Sequence, residues 1–322
     1  MDQTQHGDHE QRVAPAAQLV PAPRRDFLRR AGVALGIGIA ATACTSGKKS
    51  SSAAAASGSE GQAADSLLDR ITRTKKARLG VDLTFPPLQF KDPANGNKPS
   101  GYSVDLAVSM LKDLGAEPEF VEVPFAQLFA AQASGRFDFS GIAATILPSR
   151  AQRVLFSSEP LFIESEVILL KPGFKISSPQ DLNKPGITLA VQVGSSQEAT
   201  APLLFPNAKL KSLENQPAIQ DVASGRSHAM LLSEFNIKEA LDKNPGLTVF
   251  QGPPVFVDYN TFFMPAGDFR FKEWVDNWIR YQTSHGVLEG LWNKYVGDNA
   301  RKIGLPSIAV RSPFIPTQPG GR

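Results

Sequence analysis

The chain has 322 residues, 42% of them hydrophobic and 20% charged, close to the globular average, which excludes a wholly disordered chain and a polytopic membrane protein and suggests about two globular units with appendages. Its 34 basic and 31 acidic residues leave a net charge of +3, without the clustered basic excess that nucleic acid requires, so no nucleic-acid partner is expected. One cysteine, and only His228 and His285 beyond residue 43, leave almost no material for a Cys/His zinc site, and no metal or other cofactor is expected.

The first fifth of the chain reads as an address. Arg24, Arg25, Asp26, Phe27, Leu28, Arg29 and Arg30 precede thirteen uncharged residues, Ala31 to Ala43. Thirteen helical residues span about 20 Å against a hydrocarbon core of roughly 30 Å, so residues 1–43 are predicted to be a signal peptide and not a membrane span. Arg24-Arg25-Asp26-Phe27-Leu28 resembles a twin-arginine export motif, with Pro23 and Arg29 departing from its usual flanks. Ala41-Thr42-Ala43-Cys44 resembles a lipobox lacking its usual leucine, which implies lipid on Cys44. Cleavage at an Ala-x-Ala site, with Cys44 incidental, is the alternative. The sequence Gly36-Ile37-Gly38-Ile39-Ala40-Ala41 imitates part of a dinucleotide fingerprint, but no strand precedes it. Residues 44–66, rich in Ser, Ala and Gly, read as a flexible tether.

From Leu67 strand and helix signals alternate. Arg78 to Leu83 reads as a strand, and Val104, Ala107, Val108, Leu111 and Leu114 mark one face of a helix that Gly115 can end. Phe120 to Val123 is a second strand, Phe125 to Gln132 a helix ended by Gly135, and Phe137 to Ile142 a third strand. The rhythm restarts with strands at 187–191, 209–213 and 228–233 and with helices opened by Ser195 and Pro217, so two α/β lobes are predicted. Phe271, Trp274, Val275 and Trp278 share one helical face, as core aromatics do. Residues 306–322 read as an exposed tail.

Several short runs occur together in this order: Gly80-Val81-Asp82 with Phe85-Pro86-Pro87; Gly101-Tyr102-Ser103-Val104-Asp105; Ser134-Gly135-Arg136-Phe137-Asp138; Thr145-Ile146-Leu147-Pro148-Ser149-Arg150; Gly194-Ser195-Ser196-Gln197-Glu198; and Leu291-Trp292-Asn293-Lys294-Tyr295-Val296-Gly297. Over residues 78–298 the chain resembles a bacterial extracytoplasmic solute-binding protein of family 3, the capture subunit of an ABC importer for polar amino acids. The resemblance implies a two-lobed periplasmic-binding-protein-like α/β fold of type II, with a ligand cleft between lobes joined by a two-strand hinge. Lobe 1 is then expected at 78–165 and 260–305, and lobe 2 at 166–259. It further implies a small-molecule ligand bearing a carboxylate, expected to be a polar or cationic amino acid, with ABC permease subunits as partners, a monomer, and a lipid-anchored position on the extracytoplasmic face of the membrane.

Each candidate site residue has a second reading in its own chemistry. Arg150, just after Pro148, could grip a carboxylate through two parallel hydrogen bonds or be a solvated surface arginine; it matches the family's carboxylate-binding arginine. Thr145 falls where the family uses an assisting hydroxyl, or is a β-branched strand residue. Ser195 and Ser196 open a helix where free N–H groups could hold an anion, while Ser195-x-x-Glu198 is equally a capping box. Phe85 and Phe125 match aromatic walls for the ligand side chain, or pack in the core. Asp82 could meet a ligand amine or cap a turn.

The position of the family's amine-binding aspartate falls on Ser233, with Glu234 beside it. A hydroxyl cannot neutralise an ammonium, so either Glu234 or Asp82 supplies the charge or the ligand lacks an α-amine. Glu234 is expected to be the only acid near the lobe 2 wall. Some members of this fold are dehydratases or lyases; no nucleophile elbow, metal-ligand cluster or phosphate loop is present, so binding without catalysis is expected, and a sensory role is a further alternative.

Overall fold

The computed structural model describes residues 65–297. The signal peptide, Cys44, nearly all of the tether and the 306–322 tail lie outside the described residues.

The first element is a helix that the sequence reading missed, α1 (Leu67–Thr74). Its apolar anchors are only Leu67, Leu68 and Ile71, too few to show a clear period, and it is fixed from afar. Asp268 accepts from both Ser66 Oγ and Leu67 N at 2.7 Å. The same aspartate caps a much later helix by accepting from Phe271 N at 3.0 Å.

Strand β1 (Lys76–Val81) leads to a small antiparallel sheet of β2 (Thr84–Phe85), β3 (Gln89–Asp92) and β4 (Lys98–Ser100). Helix α2 (Tyr102–Asp113) buries Val104, Ala107 and Leu111, as its spacing requires, and Gly115 follows with φ 63°. Strand β5 (Glu117–Glu122) pairs in parallel with β1, Leu79 opposite Phe120. The helix expected from Phe125 starts instead as a 3₁₀ turn at Phe125–Gln127 and becomes α3 only over Leu128–Ala133. Pro124 precedes the turn and Asp82 binds the Phe125 N–H at 2.8 Å, which fixes its geometry. The third strand, β6, shortens to Phe139–Ser140, although Asp138 N and Gly141 N still donate to β1 carbonyls at 2.8 Å. The sheet order is β5-β1-β6.

Next come β7 (Ala144–Thr145), the short helix α4 (Pro148–Ala151), β8 (Val154–Phe156) and the long strand β9 (Phe162–Leu170). The second parallel set is β10 (Thr188–Gln192), β11 (Lys209–Leu213) and β12 (Ala229–Ser233), with α5 (Ser196–Leu204) and α6 (Asn215–Ala223) between them. A 3₁₀ turn at Glu234–Asn236 leads into α7 (Ile237–Lys243), and β13 (Thr248–Val249) and β14 (Phe256–Thr261) follow. The chain closes with β15 (Phe263–Pro265), α8 (Phe269–Ser284) and α9 (Val287–Trp292).

Two strands join the lobes. Strand β9 begins with Phe162 in the core that holds Tyr102 and Trp292, and ends with Ile168 and Leu170 in the core under β10. Strand β14 runs back antiparallel to it and delivers Phe262 to the first core. The sheet β11-β10-β12-β9-β14-β7 is therefore continuous from one lobe to the other. Each fully buried Leu or Phe in these cores contributes about 1.5–3 kcal/mol, so each lobe has a core of its own on either side of the two-strand connection.

Candidate functional site

Between the lobes lies a narrow cleft of about 50 Å³, measured as the space left for the centre of a water molecule. One water needs roughly 10–15 Å³ on that measure, so the cleft suits a small solute and not a peptide. Asp82, Phe85, Phe125, Thr145, Arg150, Ser195, Ser196 and Ser233 all line it.

Arg150 sits on α4, which Pro148 opens at its first position, and is only 6% exposed. Its Nη1 donates to the Thr145 carbonyl at 2.8 Å and its Nη2 to the Gly194 carbonyl at 2.7 Å. The guanidinium carbon stands 4.5 Å from the centre of the Phe129 ring and 5.4 Å from that of Phe125. Burial lowers its pKa to about 10, against the opposing pull of Asp258 and Glu164, so it stays a cation at neutral pH. A buried cation on an aromatic platform at the mouth of β7 is a ready partner for a carboxylate.

The serines divide their work. Ser195 Oγ accepts from Glu198 N at 3.2 Å and donates to the Gln192 carbonyl at 2.6 Å, so it caps α5. Glu198 reaches the Gly194 N–H at 2.7 Å, one residue short of the expected capping-box partner. Ser196 begins the helix proper, is buried, and hydrogen-bonds Asp258. Thr145 Oγ1 lies 3.3 Å from Asp258 Oδ2 and from Asn260 Oδ1 and can donate to one of them at a time. Phe85 meets the buried Phe235 edge to face, with ring centres 6.5 Å apart.

Asp82 uses its carboxylate locally. Its Oδ1 accepts from Thr84 N at 3.0 Å and from the Thr84 hydroxyl, and its Oδ2 takes the Phe125 N–H at 2.8 Å. Ser233 ends β12 facing the cleft, and its Oγ accepts from Phe235 N at 3.3 Å. Glu234 is turned away, as consecutive residues at a strand end are, and does not line the cleft. Its Oε1 instead accepts from Ser165 N at 3.0 Å.

The expectation that Glu234 is the only acid near this wall is overturned. The two connecting strands carry three more: Glu164 and Glu166 on β9, and Asp258 directly opposite Glu164 on β14. Glu164 lines the cleft, hydrogen-bonds Ser233, and its Oε2 accepts from Asn260 Nδ2 at 3.0 Å. Burial, then the charges of Asp258 and Glu234, raise its pKa to about 8 in spite of the Ser233 and Asn260 bonds. Burial also pushes Glu166 well above the carboxylate range, raises Glu234 to about 7, and raises Asp258. Gln197 donates to Glu166 Oε2 at 2.6 Å. The sequence signal was the run Phe162-Ile163-Glu164-Ser165-Glu166-Val167-Ile168-Leu169-Leu170, whose alternate acids inside an otherwise apolar strand place both carboxyls on one face. Among the described residues no group of three or more His, Cys, Asp or Glu could hold a metal ion.

Comparison with known proteins agrees with this architecture. The family model of the bacterial extracellular solute-binding proteins, family 3, matches residues 77–298. An ancestral amino acid-binding protein, a precursor of cyclohexadienyl dehydratase, has 32% sequence identity and a TM-score of 0.63, covering 72% of this chain and 99% of its own. The cyclohexadienyl dehydratase of Pseudomonas aeruginosa is 24% identical over 70% of this chain and 85% of its own length. The arginine-binding extracellular protein of Bacillus subtilis is 28% identical over 56% of this chain and 69% of its own. No helix of the described residues is long and apolar enough to cross a membrane. The two α/β lobes, their two-strand connection and the cleft between them form a type II periplasmic-binding-protein fold, and the chain belongs to the bacterial extracellular solute-binding proteins, family 3.

Proposed function

We propose that the chain captures a small α-amino acid outside the cytoplasm and hands it to the permease of an ABC importer, without chemical change to the solute. The observation that carries this reading is Arg150: a buried, protonated guanidinium lining a cleft of small-solute size, already bonded across to the opposite lobe. The ligand carboxylate is assigned to Arg150, Thr145 and Ser196, and its side chain to the walls of Phe85 and Phe125. The ammonium is assigned to Ser233 with Glu164, whose carboxyl lies against that hydroxyl, in preference to Glu234 or Asp82, which are engaged elsewhere. An ammonium there favours the ionised form of Glu164, so binding releases a proton.

In this reading the lobes are 78–165 with 260–305, and 166–259. Residues 1–43 direct export, lipid on Cys44 holds the protein at the membrane through the 44–66 tether, and the monomer works from the outer face. A thermal-shift screen of the amino acids on the exported protein tests it, because a ligand at 100 times its Kd stabilises by about 2.7 kcal/mol.

One observation favours a second reading. Glu164, with a pKa of about 8, is a neutral carboxylic acid in the cleft near pH 7 and could protonate a leaving hydroxyl, as a dehydratase requires. Incubating the exported protein with a cyclohexadienyl acid and following loss of water separates the two. Turnover that disappears in Glu164→Gln would replace the capture reading.

A further inference from the structure

The cleft contains a second set of polar groups, with no hydrogen bond to Arg150 or to the carboxyls. Gln89 on β3, Asn215 at the start of α6 and Asn236 at the end of the 3₁₀ turn all line it and are 4%, 5% and 1% exposed. Asn215 Nδ2 donates to Asn236 Oδ1 at 3.3 Å. Among the described residues, Asn215 Oδ1, Asn236 Nδ2 and Gln89 Oε1 have no partner. Leaving a buried polar atom unpaired costs about 1–3 kcal/mol, so three in one cleft call for an occupant.

The helix positions sharpen the point. Asn236 lies inside a continuous helical run that Ser233 caps, with φ −88° and ψ −9°, so its side chain has no capping duty. Asn215 is the first residue of α6, after the flanking Glu214, and has none either. Both amides are directed to each other and to the cleft. Within the pair, whichever amide donates, one acceptor and one donor are left vacant, so the need does not depend on which way either amide is turned.

We infer that Gln89, Asn215 and Asn236 form the side-chain subsite and select an amino acid whose neutral end both donates and accepts hydrogen bonds, the carboxamide class. This rests on the amino acid capture proposed above. A carboxamide N–H₂ answers the vacant oxygens, and its carbonyl answers the vacant N–H₂. An ammonium or guanidinium has donors only and leaves the Asn pair's N–H₂ facing a cation. A hydrocarbon end leaves all three unpaired, and a site built to hydrogen-bond its substrate discriminates strongly against such an analogue. Asp82, the acid beside the aromatic walls, already accepts three hydrogen bonds from Thr84 and the Phe125 N–H, which hold both its oxygens toward its own lobe.

The test is calorimetry on the exported protein with L-glutamine and L-asparagine, their hydrocarbon counterparts L-norleucine and L-leucine, and L-lysine and L-arginine. One of the two carboxamides should bind at least tenfold tighter than its hydrocarbon counterpart and than either cationic amino acid. In Asn236→Leu the carboxamide should lose at least tenfold while the hydrocarbon ligand changes by less than threefold. Asn236→Asp, which offers acceptors only, should move the preference toward lysine. If that leucine variant fails to fold, the wild-type panel decides alone. Carboxamide affinity within threefold of the hydrocarbon's, or tightest binding by lysine or arginine, overturns the subsite and leaves amino acid capture standing. Binding of no amino acid at all overturns both.

Discussion

Arg150 Nη2 donates to the Gly194 carbonyl at 2.7 Å, so the residue placed to hold the ligand carboxylate also ties the lobes together. Gly194 makes this approach possible. It has φ 74°, and a Cβ there would stand 2.8 Å from Ala126 Cα of the other lobe, closer than packed atoms come. Gly194→Ala should therefore hold the lobes apart as well as strain the backbone. Ligand affinity should fall at least tenfold, and small-angle scattering should show a larger radius of gyration with saturating ligand. Unchanged affinity would mean that closure does not need this contact.

The acid cluster sets a pH dependence. Glu164, at about 8, and Glu234, at about 7, hold protons in the folded state that a carboxyl near 4.5 has released in the unfolded chain. Their contribution is complete below about pH 4.5 and is lost as pH rises through about 8. At the acid end Asp221 runs the other way. Burial acts against its ionised form, but Lys211, Ser227 and Arg226 outweigh it and bring its pKa to about 2, so that stability is lost as pH falls through that value. Without ligand, the melting temperature should decline from pH 5.5 to 8.5, and Glu164→Gln should flatten the decline. A melting temperature that climbs over this range would show the cluster to be ionised.

Two of the sequence runs meet in one contact. An added Cβ on Gly80 would lie 2.4 Å from Phe137 Cζ, within a fully packed core. Gly80→Ala should destabilise by about 1–3 kcal/mol, the usual cost of overpacking, and Phe137→Leu in the same chain should recover part of it. Denaturant melts of the single and double variants give the coupling; strict additivity would contradict it.

Export and anchoring have their own test. Two or more acyl chains hold a protein stably at a membrane, whereas one binds marginally. Cys44→Ser should move the protein from the membrane to the soluble fraction with ligand binding unchanged. A wild-type protein found wholly in the soluble fraction would remove lipid from the account.

Much of this was readable beforehand because it follows from spacing. The α2 face carries a 3.6-residue period, Gly115 and Gly135 mark the stops, and β10 and β12 are short apolar runs of the kind buried parallel strands require. Helix α1 was not legible, since Leu67, Leu68 and Ile71 are too few to show a period, and Asp268, about 200 residues away, reinforces its Ser66 cap. The walls of the cleft were legible through the resemblance, residue by residue. The alternation of Glu164 and Glu166 was a signal within β9, but their meeting with Asp258 was not legible, because register between β9 and β14 brings it about, and the expected lobe boundary at 165–166 cut through β9 itself. Asn215 and Asn236 carry no sequence motif, and only their vacant amide atoms in the cleft reveal them.

The central claim is that Arg150 holds an amino acid carboxylate between the lobes. Removing one partner of a buried ion pair costs about 3–5 kcal/mol, or roughly 100- to 4,000-fold in Kd. The deciding measurement is calorimetry of the best amino acid ligand on wild type, Arg150→Ala and Arg150→Lys, with melting curves to show that all three are folded. The account expects a loss of at least 100-fold in Arg150→Ala and an intermediate loss in Arg150→Lys, which keeps the charge but not the planar fork. Binding by a folded Arg150→Ala within threefold of wild type would contradict it.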